Sequence, residues 1–132
     1  MRQVNWQMNL LNVIEAADKR PFLWGENDCL LFAADCVKAM CGDDLAAAYR
    51  GTYNSELTAK KVLLKTHGTL EKAIGAFLPE VHVKLAQRGD IAVIDNGGNR
   101  CAGVVWSGGV YAMGVNGVVL MRQPPLRVWR VE

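Results

Sequence analysis

An α+β domain is the expectation, from three features of the chain. Up to Glu80 it reads as a series of helical segments. Beyond that point it reads as short apolar runs separated by glycine turns, and most of the thirteen glycines lie from Gly89 onward. Helices followed by closely spaced strands, in a chain of 132 residues with 51% apolar side chains, describe one domain with a real core. The strands are too close for helical crossovers, so hairpins are expected, forming a largely antiparallel sheet or a small partial barrel. The helical half should pack on that sheet.

The first helix is expected over 5–18, with Asn5 as its cap and Trp6, Leu10, Leu11 and Ile14 at three-to-four spacing. Lys19-Arg20-Pro21 ends it, because the residue before proline avoids the helical region. Asn27 or Asp28 caps a second helix, which runs from Cys29 to Cys41 and stops at Gly42. Only Asp35 and Lys38 interrupt its apolar surface, so it is the expected centre of the fold. Asp35 reads as facing solvent in a gap or bonding the backbone of the β half.

A short helix is expected over 43–49. Ser55 caps another over 57–66, with Gly68 as its terminator and Lys60, Lys61 and Lys65 as a solvated face. Thr69 caps one over 70–78, closed by Pro79. Strands are expected over 81–85, 90–94, 103–106, 110–113, 118–121 and 126–129. Asn96-Gly97-Gly98-Asn99, Ser107-Gly108-Gly109 and Asn116-Gly117 are the turns between them.

The net charge of +2 with 21% charged residues argues against a dedicated nucleic-acid binder and against disorder. The segment from Val81 onward carries a mild basic excess. No stretch is long and apolar enough to span a bilayer. The opening Met1-Arg2-Gln3-Val4-Asn5 lacks the pattern of a signal peptide, so a cytoplasmic or virion-associated location is expected. Cys29, Cys36, Cys41 and Cys101 match no common zinc spacing, and His67 and His82 lie far from the first three. Neither a metal nor a cofactor is expected.

Cys29 is the leading candidate for chemistry. It lies just past the cap of an apolar helix, where unpaired N–H groups and the helix dipole favour a thiolate. The loop before it supplies an aromatic wall in Trp24, a flexible Gly25 and the polar Asp28. The bland reading is a small buried thiol at a helix start. Cys36 and Cys41 read as core filler. A cysteine nucleophile needs a base within hydrogen-bond reach, and His67 and His82 are the only imidazoles available. Trp106 and Trp129 are core candidates that can also join Trp24 along one groove.

The run Phe22-Leu23-Trp24-Gly25-Glu26-Asn27-Asp28-Cys29-Leu30-Leu31-Phe32 resembles the Trp-Gly…Asp-Cys segment of NlpC-like cell-wall peptidases, of the papain-like cysteine peptidase superfamily. Arg88-Gly89-Asp90-Ile91-Ala92-Val93-Ile94 resembles their Gly-Asp strand. Cys101-Ala102-Gly103-Val104-Val105 resembles the strand that opens with their base histidine. The whole chain, with Tyr49-Arg50-Gly51-Thr52-Tyr53 and Arg127-Val128-Trp129-Arg130, is similar to a small phage and prophage branch found near tail-protein genes.

The resemblance implies an NlpC-like fold with Cys29 as nucleophile. It also implies a cleft formed by Trp24, Gly25, Asp28, Cys101 and Trp106. The chain departs from the pattern where Cys101 replaces the base histidine, and no orienting polar residue falls near 109–112. Two functions follow. One is a structural or tail-assembly protein with a degenerate peptidase site, whose partners are phage tail proteins or a cell-wall peptide. The other is an active amidopeptidase on peptidoglycan stem peptides, with His67 or His82 recruited as base.

Overall fold

A computed structural model describes residues 1–132. The elements in order are α1 (Trp6–Lys19), α2 (Cys29–Cys41), α3 (Glu56–Thr66), α4 (Leu70–Gly75), β1 (Glu80–Val81), a 3-10 turn (Val83–Leu85), β2 (Ile91–Asn96), β3 (Asn99–Trp106), β4 (Gly109–Gly114), β5 (Gly117–Met121) and β6 (Arg127–Trp129). The helical region packs on one antiparallel sheet of order β1-β6-β2-β3-β4-β5. No helix is long and apolar enough to cross a membrane.

The sheet is open, which corrects the expectation of a partial barrel. β1 is two residues long and pairs only with β6, while β5 pairs only with β4, so the two edges never meet. Hairpins link β2 to β5, but β6 returns across the sheet to lie between β1 and β2. Pro124-Pro125 precedes it; proline has no N–H for a ladder, so the chain must leave the sheet before re-entering.

α2 is the central helix. Asp28 caps it by accepting the Leu31 N–H at 3.0 Å, and Gly42 closes it at φ 89°. Leu30 to Ala34, Cys36, Val37 and Met40 are all buried. They meet Leu10, Ile14 and Ala17 of α1 and the inner sheet residues Ile91, Val93, Ala102 and Val104 in one core. Residues between them on the strands, Ala92, Ile94, Val110 and Val128, form a second cluster on the outer face. Val81, Val83 and Ala86 fold over that face, so β2 is buried on both sides.

Several local expectations are corrected. Asn5 does not cap α1 through its side chain; its Oδ1 accepts from Asn9 Nδ2 instead. Residues 45–50 form turns instead of the helix expected over 43–49, because Asp44 Oδ1 takes the Ala46 N–H and competes with the helical pattern. α4 ends at Gly75, and the N–H groups of Phe77 and Leu78 both turn back to the Ile74 carbonyl ahead of Pro79. The strand expected over 81–85 is cut at His82, whose Nδ1 accepts the Lys84 N–H and starts the 3-10 turn.

Asp35 neither faces open solvent nor bonds the β half. It pairs with Arg50 at 2.7 Å and with Arg20 at 3.5 Å, and Arg50 also holds Asp44. α3 is anchored differently. Its Ser55–Thr58 capping box is complete, yet none of its residues is fully buried. Its lysines are exposed as expected, with Lys60 paired to Glu56.

Asp90, fully buried, ties the two ends of the chain to the start of β2. It accepts from Gln87 N–H at 2.8 Å, from Arg130 at 3.1 Å and from Arg2 at 3.4 Å. Its removal leaves two partly buried guanidinium groups uncompensated. Asp90→Ala is therefore expected to lower unfolding free energy by about 3 kcal/mol. Urea denaturation should show a lower midpoint with an unchanged slope, since the surface exposed on unfolding is the same.

Candidate functional site

The loop before α2 is built around one buried carboxylate. Asp28 is 1% exposed. Its Oδ1 caps α2, while its Oδ2 accepts the Gly25 N–H at 2.9 Å and the Tyr53 hydroxyl at 2.7 Å. Gly25 has φ +86°, and a Cβ there would overlap the Tyr53 carbonyl, so only glycine fits. Burial first, and the bond to Asp28 second, push the Tyr53 phenol far up, which keeps it a neutral donor. Asn27 fixes the other side of the loop: its Nδ2 donates to the Pro21 carbonyl and its Oδ1 accepts from Arg20.

This framework fixes Cys29 as the first residue of α2. The matching wall comes from the sheet. β3 and β4 are in register only from Val104–Tyr111 to Trp106–Gly109. Beyond that, β4 follows β5 alone. Gly103 marks the divergence, since a Cβ there would overlap the Tyr111 carbonyl. The opening exposes the Cys101–Ala102 stretch of β3 to the N-terminus of α2. Cys101 therefore packs partly against the outer-face cluster and also lines the cavity that holds Cys29.

The two thiols are neighbours on the cavity wall, close enough for each to shift the other's ionisation. The neighbouring Cys101 is the largest influence lowering the pKa of Cys29, with further help from the Ala102 and Leu30 N–H groups. Burial and the Asp28 carboxylate oppose it without reversing the direction. The same proximity, then burial, drives the Cys101 thiol far up. The two shifts run in opposite directions, down for Cys29 at the helix N-terminus and up for Cys101, so the thiolate is favoured at Cys29. Cys36 is sealed in the core and burial raises its pKa, while the Cys41 thiol bonds the Val37 carbonyl.

The cavity has a volume of about 700 Å³. Phe22 and Trp24, which meet edge to face at 5.0 Å, form one wall. Leu63 of α3 and Met113 of β4 also line it, and Lys60 and Glu56 stand among its lining residues. Glu71 is a polar lining residue that the sequence did not flag. Its Oε2 accepts from Arg100 at 2.8 Å, but its buried Oε1 has no partner. Tyr49 and Tyr53 were likewise missed as lining residues, although they flank the Arg50-Gly51-Thr52 turn within a segment that carries the resemblance.

The structure brings together Cys29, Cys101, Trp24 and Asp28 in this cavity. Gly25 lies outside the lining and acts through Asp28. Trp106 is elsewhere: it packs edge to face on Trp6 at 6.2 Å and under Arg88 at 4.9 Å. Neither histidine lines the cavity. His67 stacks behind Tyr49, with its Nδ1 on the Tyr49 hydroxyl. His82 is exposed at the 3-10 turn. No three His, Cys, Asp or Glu side chains converge as a metal-holding group.

Two outcomes follow from this geometry. Asp28→Ala strips the acceptor from Leu31, Gly25 and Tyr53 together and should cost about 3 kcal/mol, whereas Asp28→Asn keeps an Oδ1 cap and should cost less; thermal or urea unfolding measures both. Alkylation of Cys29 by iodoacetamide should reach half its maximal rate at a lower pH than the same cysteine in the denatured chain. Because the neighbouring Cys101 leads the lowering, Cys101→Ala should move that midpoint upward. Equal midpoints in the two proteins would show that the neighbouring thiol does not set the ionisation.

No curated protein and no solved structure matches the chain. A family model does, covering residues 1–131, and it is described as a domain of unknown function. With nearly the whole chain covered, the protein belongs to the DUF6950 family.

Proposed function

We propose that the protein is a structural or assembly component built on an NlpC-like scaffold, whose former catalytic cleft holds a peptide segment without cleaving it. The carrying observation is the company Cys29 keeps: the neighbouring titratable side chain is a second thiol, Cys101, and no imidazole lines the cavity. Amide hydrolysis needs a group that takes the thiol proton and returns it to the leaving amine, with a pKa near the working pH. Cys101, held far above its ordinary range, does neither efficiently.

Binding needs none of this. The cavity offers the apolar faces of Trp24, Leu63 and Met113, with Glu56 and Lys60 among its lining residues for the polar groups of a peptide. The setting, a phage or prophage tail with tail proteins or cell-wall peptide as partner, is drawn from the sequence resemblance.

Calorimetric titration with a peptidoglycan stem peptide, alongside mass spectrometry of the mixture, tests the proposal. Saturable binding with the peptide intact is expected. Leu63→Trp, on a surface helix, should fill the cavity and weaken binding by about tenfold or more, a change of about 1.4 kcal/mol. Absence of binding, or cleavage that vanishes in Cys29→Ser, overturns it. Cleavage would establish the second reading, an active amidopeptidase, which the lowered pKa of Cys29 at the helix N-terminus favours.

A further inference from the structure

We propose that Cys29 and Cys101 are an oxidation site, a dithiol that a peroxide converts to an intramolecular disulfide closing the floor of the cavity. The inference does not depend on whether the cleft binds or cleaves. It rests on placement: the capped start of α2 and the divergence of β3 from β4 put two half-buried, neighbouring thiols on the wall of one cavity of about 700 Å³ that a small oxidant can enter. The pairing is selective, because Cys36 is sealed in the core and the Cys41 thiol is bonded to the Val37 carbonyl of its own helix.

The chemistry divides between the two sulfurs. The Cys29 thiolate attacks one peroxide oxygen; an S–O bond forms, the O–O bond breaks, and the departing hydroxide takes up a proton as water. Cys29 is then a sulfenic acid and carries no charge. The leading cause of the raised pKa of Cys101 is the neighbouring Cys29 thiolate, so that restraint is lifted at this point. The Cys101 sulfur then attacks Cys29; an S–S bond forms, the S–O bond breaks, and hydroxide leaves with the Cys101 proton as a second water. Two thiols lose two electrons in total, and one peroxide becomes two waters. A thiol donor reverses the change by exchange.

The test treats the full chain with one equivalent of hydrogen peroxide at neutral pH, then alkylates under denaturing conditions and maps the peptides. A Cys29–Cys101 linked peptide is expected, with Cys36 and Cys41 still free, and dithiothreitol should restore Cys29 labelling. In Cys101→Ser the sulfenic acid should persist on Cys29 and be trapped by dimedone. In Cys29→Ser the same dose should leave Cys101 reduced. Wild-type Cys29 passing to sulfinic acid without a link, remaining unreacted, or linking to Cys36 or Cys41 overturns the proposal. The wild-type map decides the matter even if a variant folds poorly.

Discussion

The Asp28 carboxylate is the interaction on which the site depends. Two oxygens serve three donors from three places: the first turn of α2, the Gly25 turn and the Tyr53 hydroxyl. Each bond alone is modest, about 1 kcal/mol net, but each donor is buried or half-buried and costly to leave unpaired. The carboxylate therefore sets where α2 begins, how the Trp24 loop enters and where the segment after Arg50 lies. Cys29 inherits its position as the next residue in the chain.

A second constraint comes from the sheet. β3 and β4 pair for only three positions before parting, and α2 fills the space that opens. A fully zipped β3–β4 hairpin would satisfy the Ala102 N–H within the ladder. The opened one leaves it to the Cys29 sulfur, where it joins the Cys101 thiol in favouring the thiolate. The electrostatics of the sulfur thus come from backbone topology as much as from side-chain identity. The surrounding walls are less firmly held: α3 buries no residue fully, although it supplies one side of the cavity.

Much of the architecture was legible because its signals are local. The caps at Asp28, Ser55 and Thr69, the stop at Gly42 and the three glycine turns fall where the sequence places them. Two of the failures share a cause: a side chain outcompeted the expected pattern. Asp44 captured a backbone N–H and turned a helical run into turns, and His82 did the same to a strand. Among the candidate site residues, Cys29, Asp28 and Trp24 were readable from a single loop-helix junction. Glu71 and Tyr53 were not, because nothing near them in sequence marks a buried carboxylate oxygen or a tyrosine aimed at a distant cap.

The amino-acid order alone determined the succession of helices and strands, the apolar nature of α2 and the placing of a thiol at its start. These depend on φ/ψ preferences and hydrogen bonds that span a few residues. Tertiary structure alone decided that β6 slots between β1 and β2, that Arg50 rather than the sheet answers Asp35, and that Cys101 rather than a histidine meets Cys29. Those meetings follow from strand register and from where two strands part, and both are settled only when the whole sheet and the central helix pack together.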